Sequence, residues 1–171
     1  MSLIRVGISS CLLGEPVRYD GRHKHDPFII TELGHFFELV GVCPEYESGM
    51  PVPRDPMQLV PSGNTPRLVV IRSGQDMTGQ MHAFCKCRLA ALAAENLCGF
   101  VLKSNSPSCG LSVGVYPGTG GTPASEGRGL FAAALAARFP EMPVVEERWL
   151  HEPAQCSLFI ERVFRYCRHM Q

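Results

Sequence analysis

Short apolar runs alternate along the chain with longer segments in which apolar residues recur every three or four positions. Runs of the first kind indicate β-strands, and segments of the second kind indicate amphipathic helices. The predicted strands cover residues 3–9, 38–42, 67–71, 100–102 and 143–147. One predicted helix begins at Pro27, with Asp26 as its N-cap, and the others cover residues 80–98, 125–139 and 153–170.

The segment 80–98 carries the strongest helical pattern, and Gly99 is predicted to end it as the C′ residue. The C-terminal segment carries a similar apolar stripe. The two predicted buried faces consist of Met81, Phe84, Cys85, Leu89 and Leu92 in the first helix, and of Cys156, Phe159, Ile160, Val163 and Cys167 in the second.

Strands that alternate with helices favour a parallel sheet covered on both faces. We therefore predict an α/β fold with an open, doubly wound, Rossmann- or flavodoxin-like sheet of about five strands. A length of 171 residues suits a single domain spanning residues 1–171. The proline-rich stretch 46–66 and the glycine-rich stretch 110–127 interrupt the pattern. Loops of this length are typically lids or binding loops, with plain surface loops as the alternative.

Sixteen acidic residues balance sixteen basic ones, so the net charge does not favour nucleic acid or a membrane surface as a partner. No apolar run is long enough to cross a bilayer. The apolar start of the chain resembles a signal peptide that ends at Cys11, but Arg5 interrupts it and it is too short. A strand explains it better, and we expect a cytoplasmic protein.

Eight cysteines are more than packing requires in a reducing compartment, where disulfides are rare. Cys11 follows the first predicted strand, Cys43 the second, and Cys109 lies in the loop after the strand 100–102. Parallel strands direct such loops to one edge of the sheet, where these folds bind ligands. Each cysteine taken alone would be interpreted as a small buried hydrophobe, but together the three predict one pocket lined by thiols.

The other five cysteines are assigned to packing. Cys85 and Cys87 stand two positions apart on a helix and therefore point to nearly opposite faces. Cys98, Cys156 and Cys167 lie at a helix end or in an apolar stripe.

Three thiolates suit some metal centres better than others. Structural zinc takes four ligands, and catalytic zinc often includes histidine. Iron–sulfur clusters are normally held by cysteine thiolates, so three cysteines would leave one iron open to bind a soft atom such as sulfur.

Three segments then carry a family resemblance: "SSCLLGEPVRYDG" near the start, "VCPEYESGMPVPR" after the second strand, and "LKSNSPSCG" at residues 102–110. In this order they resemble the signature segments of the thiouracil desulfidase family, and the resemblance spans essentially the whole chain. It implies a [4Fe-4S] cluster held by Cys11, Cys43 and Cys109, which purification in air can remove or replace.

The resemblance also implies a reaction. The family removes sulfur from thiolated pyrimidines such as 2-thiouracil, giving uracil and sulfide without net redox chemistry. By analogy, the substrate sulfur binds the open iron. Glu45 matches the family's acid/base position, and Ser106 is the best match for its polar partner. The expected substrate is a small thiolated base or nucleoside, and the protein is expected to be a monomer or homodimer.

For each of the remaining candidate residues, the sequence allows both a functional and a structural interpretation. Glu45 lies two residues from Cys43, where it could transfer protons, although a solvated loop acid is the alternative. Ser104, Ser106 and Ser108 could contact substrate or satisfy the backbone of the turn. Three residues could orient a uracil-like ring or form a turn with its salt bridge: Arg18, Tyr19 and Asp20.

Two other functions compete with desulfuration. A metal-free cysteine-nucleophile enzyme would use Cys11 and Arg18 like a phosphatase loop, although six residues intervene instead of five and no helix follows to cradle an anion. A sulfur carrier or sensor would hold a cluster or zinc without turnover.

Overall fold

The computed structural model describes residues 4–170 and has an α/β fold, as predicted. Its elements in chain order are β1 (Ile4–Ser9), α1 (Pro27–Gly34), β2 (Phe37–Val42), α2 (Pro44–Glu47), β3 (Met57–Val60), β4 (Arg67–Val70), α3 (Thr78–Ala94), β5 (Phe100–Leu102), β6 (Val113–Val115), β7 (Ser125–Gly127), α4 (Leu130–Arg138), β8 (Val144–Glu146), α5 (Glu147–Leu150) and α6 (Pro153–His169). None of the helices within the described range combines the length and apolar character needed to span a bilayer.

The main sheet is parallel and has the order β2-β1-β5-β8. The chain runs from β1 outward to β2 and later returns to the other side of β1 as β5. The strand order therefore reverses between β1 and β5, and this is the position at which open α/β sheets form a crevice at their carboxyl edge. All three predicted cysteine loops leave the sheet at that edge.

Two apolar layers cover the main sheet. On one face α3 and α4 pack against β5 through residues such as Leu92, Phe100 and Phe131. On the other face α1 and α6 pack against β1 through residues such as Ile8, Leu33 and Phe159. Apolar contact on both faces explains why these strands are almost continuously hydrophobic in sequence.

A second sheet, of order β4-β3-β6-β7, accounts for the two stretches that were predicted as long loops. The proline-rich stretch contains α2 and β3, and the glycine-rich stretch contains β6 and β7. The strand at 67–70 joins this second sheet antiparallel to β3, so the main sheet has four strands instead of about five. The three strands that were missed, β3, β6 and β7, have only three or four residues each, too few for a period-2 pattern to appear.

Helix boundaries differ from the prediction in two places. Helix α3 ends at Ala94, and Asn96, in the left-handed region at φ 54°, stops it before Gly99 is reached. Helix α4 begins at Leu130, because Ser125–Gly127 forms β7. The predicted N-cap is correct, since the Asp26 carboxylate accepts a hydrogen bond from the Ile29 amide at 3.2 Å.

Gly7 allows the close packing of β1 against β5. A Cβ atom at this position would lie 2.3 Å from the ring of Phe100, which is its register partner on β5 and makes an edge-to-face contact with Phe131. Gly7→Ala should therefore force the buried ring to move and lower the free energy of unfolding by about 1–3 kcal/mol, the usual cost of overpacking.

Urea unfolding would measure this change. Gly79→Ala is the matched control, because an added methyl group on α3 meets nothing within 4 Å and alanine favours the helix. Equal stability of the two variants would contradict the packing role assigned to Gly7.

Candidate functional site

The loops after β1, β2 and β5 meet in one cavity of about 200 Å³ at the carboxyl edge of the main sheet. Cys11, Cys43 and Cys109 all line it. Side chains proposed for substrate or proton transfer line the same cavity, namely Arg18, Tyr19, Glu45, Ser104, Ser106 and Ser108.

Each cysteine is held by its own local structure. Cys11 lies in a 3-10 helix, Ser10–Leu13, which ends at Gly14 in the left-handed region. Cys43 is the N-cap residue of α2, and its amide donates to the Glu47 carboxylate at 2.8 Å. The amide of Cys109 donates to Ser106 Oγ at 3.0 Å. The three thiols are thus presented by three separately stabilised turns.

Burial dominates the acid–base properties of these thiols. Desolvation, together with the neighbouring Cys43, raises the pKa of Cys11 to about 11. Burial likewise raises the pKa of Cys43, and it raises that of Cys109 well above its ordinary value. Burial therefore favours the neutral thiol form of all three side chains.

The donor set fits an iron–sulfur cluster by its chemistry, and its three members line one cavity. Within residues 4–170, no three His, Cys, Asp or Glu side chains lie close enough to share one metal ion. The three thiols instead surround a common cavity, and all-cysteine ligation is typical of iron–sulfur clusters. Cys11, Cys43 and Cys109 could therefore hold a polynuclear cluster.

The remaining five cysteines lie outside the cavity lining. Cys85, Cys98 and Cys156 are buried in the apolar core, Cys167 is half-buried, and Cys87 is exposed.

Glu45 lines the same cavity as the three cysteines, and its side chain is 13% exposed. Its Oε2 accepts two hydrogen bonds from Arg54, from Nε at 2.9 Å and from Nη2 at 2.5 Å. Its Oε1 accepts a hydrogen bond from Ser108 Oγ at 2.8 Å. A carboxylate offers about four acceptor positions, so these three donors leave roughly one on Oε1 for a reacting proton or water.

The three serines of the Cys109 loop have different partners. Ser106 Oγ accepts from the amides of Ser108 and Cys109, at 3.3 and 3.0 Å, and so stabilises the turn. Ser108, which is almost fully buried, is the serine that contacts Glu45. Ser104 Oγ donates to Glu147 Oε1 at 2.7 Å.

Two adjacent glutamates at the end of β8 hold the ends of this loop. Glu147 accepts the Ser104 amide at 2.7 Å and pairs with the Lys103 ammonium. Glu146, which is 1% exposed, accepts the Leu111 amide at 2.8 Å. Buried carboxylates thus satisfy backbone groups on both sides of Cys109, which fixes the position of its thiol.

The loop after β1 brings two of its three predicted substrate residues to the cavity. Arg18 and Tyr19 line it, and the Arg18 guanidinium lies 5.3 Å from the centroid of the Tyr19 ring. Asp20 is outside the lining and pairs with Arg18 at 3.3 Å and with Arg22 at 2.9 Å. Although desolvation opposes them, these hydrogen bonds hold the pKa of Asp20 below its ordinary value.

Three residues of this site were not identified from the sequence: Arg54, Lys103 and Glu147. Arg54 ends the quoted segment "VCPEYESGMPVPR", and Lys103 stands within "LKSNSPSCG", so both were inside recognised segments without a role. Glu147 lies far from every motif along the chain. Only the register of β8 beside β5, in which Glu146 pairs with Leu102, brings Glu147 next to Lys103.

Comparison with known proteins identifies relatives of this chain. The family model for 2-thiouracil desulfurase matches residues 6–147. The uncharacterized protein YbbK of Bacillus subtilis (strain 168) is 34% identical over 134 residues, covering 75% of this chain and 87% of its own length. The solved structure of a [4Fe-4S]-dependent thiouracil desulfidase, TudS, is 30% identical and covers 91% of this chain and 98% of its own, with a TM-score of 0.72.

The family model extends from β1 to the start of α5 and includes all three cysteines of the cavity. The resemblance expected from the three sequence segments is therefore confirmed, and the chain belongs to the 2-thiouracil desulfurase family.

Proposed function

We propose that this protein is an iron–sulfur-dependent desulfidase that converts 2-thiouracil, or a closely related thiolated pyrimidine, into its oxygen counterpart and sulfide. The observation that carries the proposal is the meeting of three cysteine thiols and a hydrogen-bonded carboxylate in one cavity. Family membership and the similarity to a [4Fe-4S]-dependent thiouracil desulfidase support it.

Cys11, Cys43 and Cys109 would hold a [4Fe-4S] cluster as thiolates. A cluster with three protein ligands supplies a Lewis-acidic iron with affinity for sulfur. Burial raises the pKa of all three thiols, and a bound cluster would supply the positive charge that lets them ligate as thiolates, since metal binding deprotonates its ligands.

The reaction is a hydrolysis without net electron transfer. One water molecule provides the oxygen that bonds to the ring carbon, the carbon–sulfur bond breaks, and both protons of the water leave with the sulfur as hydrogen sulfide. A group that takes a proton from the water and delivers it to the sulfur would lower both barriers.

Glu45 is suited to this proton transfer. Arg54 occupies Oε2, whereas Oε1 carries only the Ser108 hydroxyl and retains acceptor capacity. We assign to Glu45 the role of base toward the water and acid toward the departing sulfur. Ser108 is the polar partner that contacts it, and Ser106 acts through the turn that presents Cys109.

Arg18 and Tyr19 would orient the ring of the substrate. The Tyr19 side chain is 41% exposed, so one part of it remains available at the cavity, and its aromatic face suits stacking on a flat pyrimidine. Arg18 is held by Asp20, which gives Asp20 an indirect part in substrate binding. Ser104 lines the cavity with its hydroxyl committed to Glu147.

The rival functions have less support. A cysteine nucleophile requires a thiolate, and reactive cysteines have lowered pKa values, whereas that of Cys11 is raised to about 11. A sulfur carrier or sensor would not require the Glu45 arrangement.

We propose a cytoplasmic location, a single domain over residues 1–171, a monomer or homodimer, and a small-molecule substrate in preference to nucleic acid.

We predict that anaerobically prepared protein contains iron and sulfide, and that Cys11→Ser, Cys43→Ser and Cys109→Ser each lose most of both. A serine hydroxyl is a poor ligand for iron compared with a thiolate. Iron and sulfide analysis with an absorption spectrum measures the loss. Cys87→Ser is the matched control, because Cys87 is exposed on α3 and outside the cavity lining.

The proposed ligand set would be wrong if any of the three cavity variants, shown to be folded by circular dichroism, kept full iron content. Loss of iron from Cys87→Ser would also contradict it.

We predict that Glu45→Gln keeps its iron and loses activity on 2-thiouracil by about 10²–10⁴-fold, which is the usual contribution of a positioned acid/base group. Glutamine has nearly the size of glutamate and can still accept from Arg54, but it cannot carry the proton. Turnover is measured at matched iron content. Glu38→Gln, at the far end of β2 in an ion pair with Arg5, is the control and should retain activity. Near-normal turnover by Glu45→Gln would remove Glu45 from the mechanism.

A further inference from the structure

We propose that Arg54 is a positioning residue that assigns the two oxygens of Glu45 to separate tasks. The inference rests on the proposed function, since it concerns how Glu45 is held for proton transfer. Arg54 lies in the segment between α2 and β3 and lines the cavity.

The Arg54 side chain is only 7% exposed and is almost fully hydrogen-bonded. Besides its two bonds to Glu45 Oε2, its Nη2 donates to the Val17 carbonyl at 3.0 Å and its Nη1 donates to the Pro51 carbonyl at 3.2 Å. Its own amide donates to the Tyr19 carbonyl at 2.8 Å. One residue therefore joins the loop that carries Arg18 and Tyr19 to the carboxylate of Glu45.

This arrangement selects the reacting oxygen. Two N–H donors occupy Oε2, so that oxygen is held against Arg54 as a hydrogen-bond acceptor. Oε1 is left with the single bond from Ser108 and is the oxygen with capacity for the reacting proton. Rotation of the carboxylate would break both Arg54 bonds, so the guanidinium also fixes the direction in which Oε1 points.

Lysine could not reproduce these contacts. The Arg54 guanidinium binds Glu45 Oε2 through Nε and Nη2, and it also reaches the Val17 carbonyl through Nη2 and the Pro51 carbonyl through Nη1. An ammonium is instead a compact charge with three donors and no fixed plane. Arg54→Lys should therefore preserve the charge and lose the alignment. Arg54→Lys therefore separates the effect of the charge from the effect of the alignment.

The test is a double-mutant cycle at matched iron content. In the wild-type background, we expect Arg54→Met to lower kcat on 2-thiouracil about 10²-fold, the effect of misplacing a reacting group by about 1 Å. Arg54→Lys should lose at least 10-fold. In the Glu45→Gln background, the same Arg54 changes should cost less than about 3-fold, because residues that act as a unit are not additive.

Arg5 and Glu38 provide the matched control pair. They form an Arg–Glu contact of 3.4 Å at the amino-terminal edge of the main sheet, away from the cavity. Arg5→Met should leave kcat within about 3-fold of wild type. Independent, multiplicative losses from Arg54→Met and Glu45→Gln would overturn the positioning role, as would loss of iron from Arg54→Met.

A second double-mutant cycle measures the stability of the protein and requires no substrate. The same four proteins, prepared without iron, are compared by urea unfolding. The midpoint should fall with Arg54→Met, and it should fall less in the Glu45→Gln background because the charged partner is already missing. An iron-loaded wild type that does not turn over 2-thiouracil would refute the proposed function alone. Absence of coupling in the unfolding cycle would refute the Arg54 contact itself.

Discussion

The site depends on one constraint, the parallel direction of β1, β2 and β5. Parallel strands deliver the loops after them to one edge of a sheet, whatever the distance between those loops along the chain. Cys11, Cys43 and Cys109 are far apart in sequence and line one cavity for this reason. The reversal of strand order between β1 and β5 opens the crevice, and the three cysteines line it.

Strand direction alone does not set the positions of the side chains. Hydrogen bonds from polar side chains to the loops fix these positions further. The Cys43 amide is held by Glu47, the Cys109 amide by Ser106, and the Cys109 loop by the carboxylates of Glu146 and Glu147. A buried cavity that lacks enough donors and acceptors for its own backbone would be costly. Many of the polar side chains here therefore serve to hydrogen-bond the backbone of the loops. Glu45 differs from them because it retains acceptor capacity beyond its structural hydrogen bonds.

The sequence was sufficient for features with a strong local pattern. The apolar strands, the helix α3 and the Asp26 cap follow from periodicity and capping, and the cysteine loops follow from strand placement. The second sheet was missed because β6 and β7 are three residues each and rich in glycine, too short for a period to appear. Glu147 and the choice of Ser108 over Ser106 were missed because they depend on the register of β8 and on side-chain rotamers, which no local pattern encodes.

The two glutamates at the end of β8 limit how this segment of the chain can vary in length. Glu146 and Glu147 are consecutive residues, yet one reaches Leu111 and the other reaches Lys103 and Ser104, on opposite sides of the Cys109 loop. A single insertion or deletion within β8 would move both carboxylates by one position relative to β5 and turn the side chain of Glu146 to the other face of the sheet. This short segment, which has no metal ligand, should therefore tolerate substitutions in its apolar residues much better than any change in its length.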